Sequence, residues 1–282
     1  MVKPSSFCTL CTKPCKHELL GFLLSLSLYH PNEKVYVLCD TATKKYIDDS
    51  TPQPKLNISW NINLDKYSNL DRKQMEQMGI WSDFQMSKGD IIEIALNNEP
   101  DTLFIDNDTI ILDTINDVDK TKELGVSPQF LIKKEADKWG YYNGGMIWTN
   151  QKNMPQKWRE FTKTSRYFDQ ASIEDLAKFY SFFEFEDNYN LQSWRFIQGK
   201  DANKIQSFLK VKNNKIFYKK KPLKFIHTHF KITSSAMAVK NVNKLFINLM
   251  CQAKLYKQLS IIYRIINDKW VFNLPKQPIQ GR

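Results

Sequence analysis

Nowhere in its 282 residues does this sequence run uninterrupted through the roughly eighteen apolar residues that a membrane helix requires. The richest stretch, LLGFLLSLSL at 19–28, is too short, and no basic leader with a cleavage site precedes it. It reads as a buried helix, and the chain as cytoplasmic, with peripheral membrane contact kept open. Cysteine is scarce. Cys8, Cys11 and Cys15 begin a C-x2-C pattern, but no second Cys pair or His pair follows at ligand spacing, so a zinc module is excluded. The five cysteines are then structural thiols of a reducing compartment. Internal repeats, low-complexity linkers and recognisable nucleic-acid modules are missing too, so no nucleic-acid partner is expected. Acid is nearly absent from one end: residues 201–282 hold 17 of the 41 Lys/Arg against only Asp201 and Asp268. The first 200 residues are left with 24 basic and 28 acidic groups, so a near-neutral body ends in a basic region suited to anionic partners.

What is present is a globular composition, 42% hydrophobic and 25% charged, with no sign of wholesale disorder. SFCTLCT (6–12) alternates and is β-prone; 17–29 is an apolar helix closed by His30-Pro31-Asn32; KVYVLCD (34–40) is a second strand ending in an acid. Strand, helix, strand in so short a span predicts a βαβ unit with a parallel, right-handed crossover. Further strands are expected at 56–63, 101–111, 124–130, 144–150 and 221–230. Helical pattern covers 71–98, with breaks near Gly79 and Gly89, and parts of 155–183. Residues 241–266 predict one amphipathic helix, with Leu245, Phe246, Leu249, Met250, Ala253 and Tyr256 at three-to-four spacing. The expected organisation is an α/β domain over 1–235 and a basic helical extension over 236–282.

The chemistry concentrates in FIDNDTII (104–111), where two aspartates end an apolar strand. Ligands of open α/β sheets sit beyond the carboxyl ends of the strands, and burying unpaired carboxylates there is costly. On a strand, positions i and i+2 share a face, so Asp106 and Asp108 can meet one cation, Mn2+ or Mg2+ by their hard oxygen ligands. The competing reading is an Asp/Asn-rich turn.

Six ordered segments resolve that choice. FCTLCTKPCKHELLGFLLSLSLYHPNEKVYVLCD, MSKGDIIEIALNNEPDTLFIDNDTIIL, YYNGGMIWTN, FDQASIEDL, NYNLQSW and FIHTHF together resemble the GT-A nucleotide-sugar glycosyltransferases. The likeness is nearest to the glycogenin-like and lipopolysaccharide-galactosyltransferase-like group and spans roughly residues 6–231. It implies a mostly parallel GT-A sheet, a UDP-sugar donor, a bound Mn2+ or Mg2+, a glycan, lipid-linked or protein-linked acceptor, and retention of anomeric configuration. It assigns Leu10, Thr12 and Lys13 to the nucleotide base and ribose, Lys88 to the donor's sugar or phosphate side, and Asn107 to the donor. Asp106 would meet ribose and metal, Asp108 metal, and His227 or His229 would complete the coordination. Asn143, Gly144 and Gly145 would line the transferring sugar, with Asp169 and Gln170 as the catalytic pair.

The sequence departs from the group after the histidines, where HTHFKITSSA lacks the Gly and Lys-Pro-Trp of the pyrophosphate clamp and Lys231 is the nearest substitute. Trp139, Tyr141, Tyr142 and Trp148 form either a sugar-stacking platform or core. Two other readings stand beside this one. LFIDNDTII also fits the D-x-D-x-T string of haloacid-dehalogenase-type phosphatases, although that family carries it near its N-terminus and adds a later acidic cluster. The basic end, with Trp270 and Phe272 among lysines, also fits a binding protein that docks an anionic membrane surface.

Overall fold

Five successive buried residues form β1 (Phe7–Cys11), covered on both faces as a central parallel strand requires. The computed structural model describes residues 2–231 and 237–267. β1 passes through α1 (Lys16–Tyr29), buried from His17 to Leu26, to β2 (Lys34–Cys39), which pairs parallel to it. Asp40 caps α2 (Thr41–Asp48) by accepting from the Thr43 N–H at 2.6 Å. Then follow β3 (Asn57–Ile62), α3 (Arg72–Gln77), α4 (Trp81–Leu96), β4 (Thr102–Ile105) and β5 (Thr109–Ile111). β6 (Leu124–Pro128), α5 (Lys133–Trp139), β7 (Tyr142–Thr149), α6 (Met154–Thr162), α7 (Phe168–Ala171), α8 (Ile173–Phe179) and β8 (Phe182–Glu184) complete the main layers. The central sheet runs β3-β2-β1-β4-β7-β6-β8, and only β7 is antiparallel to its neighbours.

Beyond it lie β9 (Leu191–Gln192), α9 (Arg195–Gln198), α10 (Ile205–Phe208) and an antiparallel set of β10 (Leu209–Lys212), β11 (Lys215–Tyr218) and β12 (Lys221–Pro222). β13 (Phe225–His227) sits between β5 and β9 in a second small sheet. Last come α11 (Met237–Gln252) and α12 (Tyr256–Asn267). α12 packs so closely on α1 that a Cβ on Gly21 would stand 2.3 Å from Ile265 Cδ1.

Several expected boundaries differ. Gly79, at φ +70°, does end α3, but α4 runs through Gly89 without a break. The stretch 101–111 is two strands, because the backbone bends at Asp106–Asp108 and β5 leaves the central sheet to pair with β13. The helix expected over 241–266 is two, parted at Lys254 with φ +56°. Cys8 and Cys11 face opposite sides of β1 in different core clusters, which a common zinc ion could not bridge. Trp270 and Phe272 lie outside the described residues, as does the end of the basic region.

Candidate functional site

The site forms where β4 ends. Asp106 donates its N–H to the Gly145 carbonyl at 2.9 Å, tying the bend to β7. β5 then carries Thr109 opposite His227 in the register of β13, and the Thr228 N–H bonds the Asp108 carbonyl at 3.0 Å. The aspartates therefore converge through a backbone bend and a second sheet, not through the pleat of one strand. His227 Nε2 lies 3.1 Å from Asp108 Oδ1 and 3.9 Å from Asp106 Oδ2. Asp106, Asp108 and His227 each offer a ligand atom within 4.8 Å of the others. Two carboxylates and an imidazole nitrogen are a donor set that can hold a divalent cation.

His227 is aimed by its other nitrogen. Nδ1 donates to Asn190 Oδ1 at 2.8 Å, while Asn190 Nδ2 donates to Asn143 Oδ1 at 2.9 Å and Ser127 Oγ at 3.0 Å. That leaves Nε2 facing the carboxylates, the second-sphere arrangement of metal-binding histidines. His229 is bound differently: Nε2 stands 3.3 Å from Asp108 Oδ2, and Nδ1 is 3.1 Å from Glu18 Oε1 on α1. The three-residue group that can share an ion takes His227, and His229 bridges two acids beside it. Burial opposes charge on His229, but Asp108 and Glu18 outweigh it and push its pKa up to about 10. Burial likewise works against the Asp108 carboxylate, yet the two histidines hold it well below the usual range. Asp106 is raised, by burial first, with Lys88 pulling it down and Asp108 pushing it up.

Across Gly144 and Gly145 lies a second charged group. Lys88, 7% exposed on α4, donates from Nζ to the Gly144 carbonyl and to Asp169 Oδ2, both at 3.1 Å, and stands 3.5 Å from Asp106 Oδ1. Burial disfavours its charge, but Asp106 and Asp169 more than compensate, so it stays an ammonium. Asp169 is no helix cap: Tyr167 holds that position in α7, and the Asp169 side chain turns to Lys88. The glycines are no hairpin bend; they lie within β7, between Tyr142 and Ile147, where its register with β6 shifts as at a bulge. A Cβ on Gly144 would meet Asp169 Oδ2 at 2.6 Å, and one on Gly145 would meet Asp106 Oδ2 at 2.5 Å and His227 Cε1 at 2.6 Å. Both positions are bare so that acidic groups can crowd the strand.

The remaining expected residues border this cluster. Gln170 Oε1 accepts from Asn143 Nδ2 at 3.4 Å, and the Asn143 Oδ1 accepts from the Gly145 N–H at 3.0 Å. Asn107 donates its amide to the Leu10 carbonyl at 2.5 Å, joining the bend to the end of β1. Thr12 is buried and starts the turn before α1, while the Lys13 N–H bonds Asp40 Oδ2 at 2.7 Å. Lys231 stands four residues after His227 at the end of that described stretch. Among the aromatics, Trp148 is fully buried with its N–H on Asp101, and Tyr142 is buried with its hydroxyl on Glu184. Trp139 and Tyr141 keep some exposure. Sequence reasoning assigned no role to Glu18, Asn190 or Ser127. Asn190 lies in the NYNLQSW segment, with a φ of +46° that Asn tolerates better than most residues.

No protein-family profile and no curated protein sequence matches this chain. Solved structures do. The galactosyltransferase LgtC, determined with donor and acceptor sugar analogues, superimposes with a TM-score of 0.55 at 15% identity, covering 85% of this chain and 94% of LgtC. An active-site mutant of LgtC gives 0.55 at 14% identity. The glycosyltransferase GlyE of Streptococcus pneumoniae TIGR4 gives 0.57 at 13% identity, over 93% of this chain and 64% of GlyE. The chain has the GT-A fold of these glycosyltransferases.

Proposed function

We propose that the protein is a metal-dependent glycosyltransferase that moves one sugar from a nucleotide-diphosphate donor, a UDP-sugar, to a hydroxyl of a glycan, lipid-linked or protein-linked acceptor. One observation carries this reading: Asp106, Asp108 and His227 converge at the carboxyl edge of a GT-A sheet, directly across two bare glycines from the Lys88–Asp169 pair. Asp106, Asp108 and His227 would hold Mn2+ or Mg2+, which when bound neutralises the charge that builds on a departing diphosphate.

The chain's own groups do the rest. Lys88 holds Asp106 and Asp169 at fixed separation and keeps an ammonium beside the donor. Asp169, buried and ionically held, presents a carboxylate to the anomeric centre, where positive charge develops in glycosyl transfer. Asn143 and Gln170 offer amide groups to sugar hydroxyls, and Gly144 and Gly145 let the sugar ring approach the strand. Leu10, Thr12, Lys13 and Asn107 border the nucleotide, and Lys231 or His229 supplies a cation near its phosphates. We assign retention of configuration to the reaction, read by NMR of the first-formed product anomer.

Residues 1–235 would carry this chemistry. Among the described residues no helix is long and apolar enough to cross a membrane. The region from 236 onward, with Lys254 and Lys257 beside the half-exposed Tyr256, would touch anionic lipid, and liposome sedimentation at low salt measures that. The test of the function itself is release of nucleoside diphosphate from a panel of nucleotide sugars with and without Mn2+. Mn2+-dependent release from one donor supports the reading. Hydrolysis of a simple phosphomonoester, without release from any nucleotide sugar, would replace it with the phosphatase.

A further inference from the structure

Glu18 is an acid where packing alone would place an apolar residue. It lies in the first turn of α1, 7% exposed, within the buried run from His17 to Leu26. A buried carboxylate is costly unless it is paired, and the helix N-terminus favours negative charge there without requiring it. Both Glu18 oxygens turn to one group: His229 Nδ1 lies 3.1 Å from Oε1 and 3.3 Å from Oε2. The backbone around His229 is fixed as well. Asn243 of α11 donates Nδ2 to the His229 carbonyl at 2.9 Å and accepts from Thr228 Oγ1 at 2.8 Å, while the Thr228 N–H bonds the Asp108 carbonyl at 3.0 Å. With its backbone and Nδ1 both held, the His229 ring presents Nε2 to Asp108 Oδ2 at 3.3 Å.

Asp108 is thereby shared between two imidazoles, one oxygen to each, with His227 Nε2 3.1 Å from Oδ1. The two histidines are not equivalent. His227 belongs to the three-residue group with Asp106 and Asp108, and a neutral amide, Asn190, holds its Nδ1. His229 stands outside that group, exposed, with a carboxylate at each nitrogen. A metal-ligating carboxylate is itself oriented by hydrogen bonds, and those outer partners govern affinity although they never touch the ion.

We propose that Glu18 is a positioning residue of the metal site: through His229 it orients the Asp108 carboxylate, and His229 is an outer partner of that carboxylate, not a ligand. The proposal rests on the metal-dependent reading and deepens it. The test titrates Mn2+ alone into the full chain by calorimetry and reads the nitrogen modulation in the electron spin echo of the bound ion. Glu18→Ala and His229→Ala should each weaken Mn2+ binding roughly 10–100-fold, the usual effect of losing an outer partner. Glu18→Gln, which still offers Nδ1–H an oxygen, should stay within a few-fold of the wild type. Because Glu18 acts through the imidazole, Glu18→Ala should cost nothing further in the His229→Ala background. The nitrogen signal should survive His229→Ala and vanish in His227→Ala. His229 is exposed on an irregular segment, so its variant decides the matter even where Glu18→Ala fails to fold. Unchanged affinity in His229→Ala, loss of its nitrogen signal, equal losses in Glu18→Ala and Glu18→Gln, or additive losses in the double variant would each overturn the proposal. Absence of Mn2+ binding to the wild type would instead sink the metal-dependent reading on which it stands.

Discussion

Replacing Gly145 by alanine perturbs the candidate metal site at one atom. The new Cβ would stand 2.5 Å from Asp106 Oδ2, 2.6 Å from His227 Cε1 and 2.8 Å from Asn143 Oδ1, where ordinary contact begins at 3.4 Å. Asp106 and His227 must each retreat by about 0.8–0.9 Å, the shortfall between those distances and ordinary contact. Both belong to the three-residue ligand group, so the ion would lose the position of two of its three protein ligands. Disturbing the groups that orient metal ligands costs roughly 10–100-fold in metal affinity. The fold should suffer less: overpacking costs about 1–3 kcal/mol, and the entropy recovered by leaving glycine offsets roughly 0.5–1 kcal/mol. Gly144→Ala is the matched control, because its Cβ meets Asp169 Oδ2 and Lys88 Nζ instead. Mn2+ affinity measured by calorimetry should therefore fall roughly 10–100-fold in Gly145→Ala and stay within a few-fold in Gly144→Ala, which should lose sugar transfer. Unchanged Mn2+ affinity in Gly145→Ala, or equal loss in both variants, would refute the reasoning.

Two further expectations concern the scaffold. Gly89 sits inside α4, and a Cβ there would meet Arg159 and Met86 at an ordinary 3.6 Å, so Gly89→Ala should stabilise the protein by roughly 0.5–1 kcal/mol in urea unfolding. His30 is 3% exposed, and its Nε2 accepts the Ile115 N–H at 2.9 Å. Burial lowers its pKa from 6.5 to about 4, with Glu33 and Asp113 working against the shift and Lys3 and Lys224 adding to it. The unfolded chain then binds the extra proton between those values, so this contribution is present above pH 6.5 and lost as pH falls through 4. It amounts to about 3 kcal/mol in full, and His30→Gln should flatten the pH dependence of the urea midpoint in that window; an unchanged slope would contradict it.

The sequence made the central parallel strands legible because strands buried on both faces appear as short apolar runs, as at 35–39 and 103–105. It also marked the carboxylates, the histidines, the paired glycines and Asp169. How these meet was less legible. The bend that separates β4 from β5 is forced by pairing with β13, more than a hundred residues away, and no local pattern records that. Gly89 did not end α4 because burial on the core side sustains the helix where propensity alone would weaken it. The break at Lys254 carries neither Gly nor Pro to announce it. Glu18 and Asn190 reach the site from a helix and an irregular segment, so only the topology identifies them as partners of His229 and His227.

The most direct measurement is thermal unfolding of the wild type and Asp108→Asn with UDP-sugars, in the presence and absence of Mn2+. Ligand at about 100 times its Kd adds about 2.7 kcal/mol to the native state, a rise of several degrees in a chain of this size. The account predicts a rise in the wild type that needs both Mn2+ and one UDP-sugar and disappears in Asp108→Asn. No rise, or a rise that survives without Mn2+ or without the Asp108 carboxylate, would contradict it.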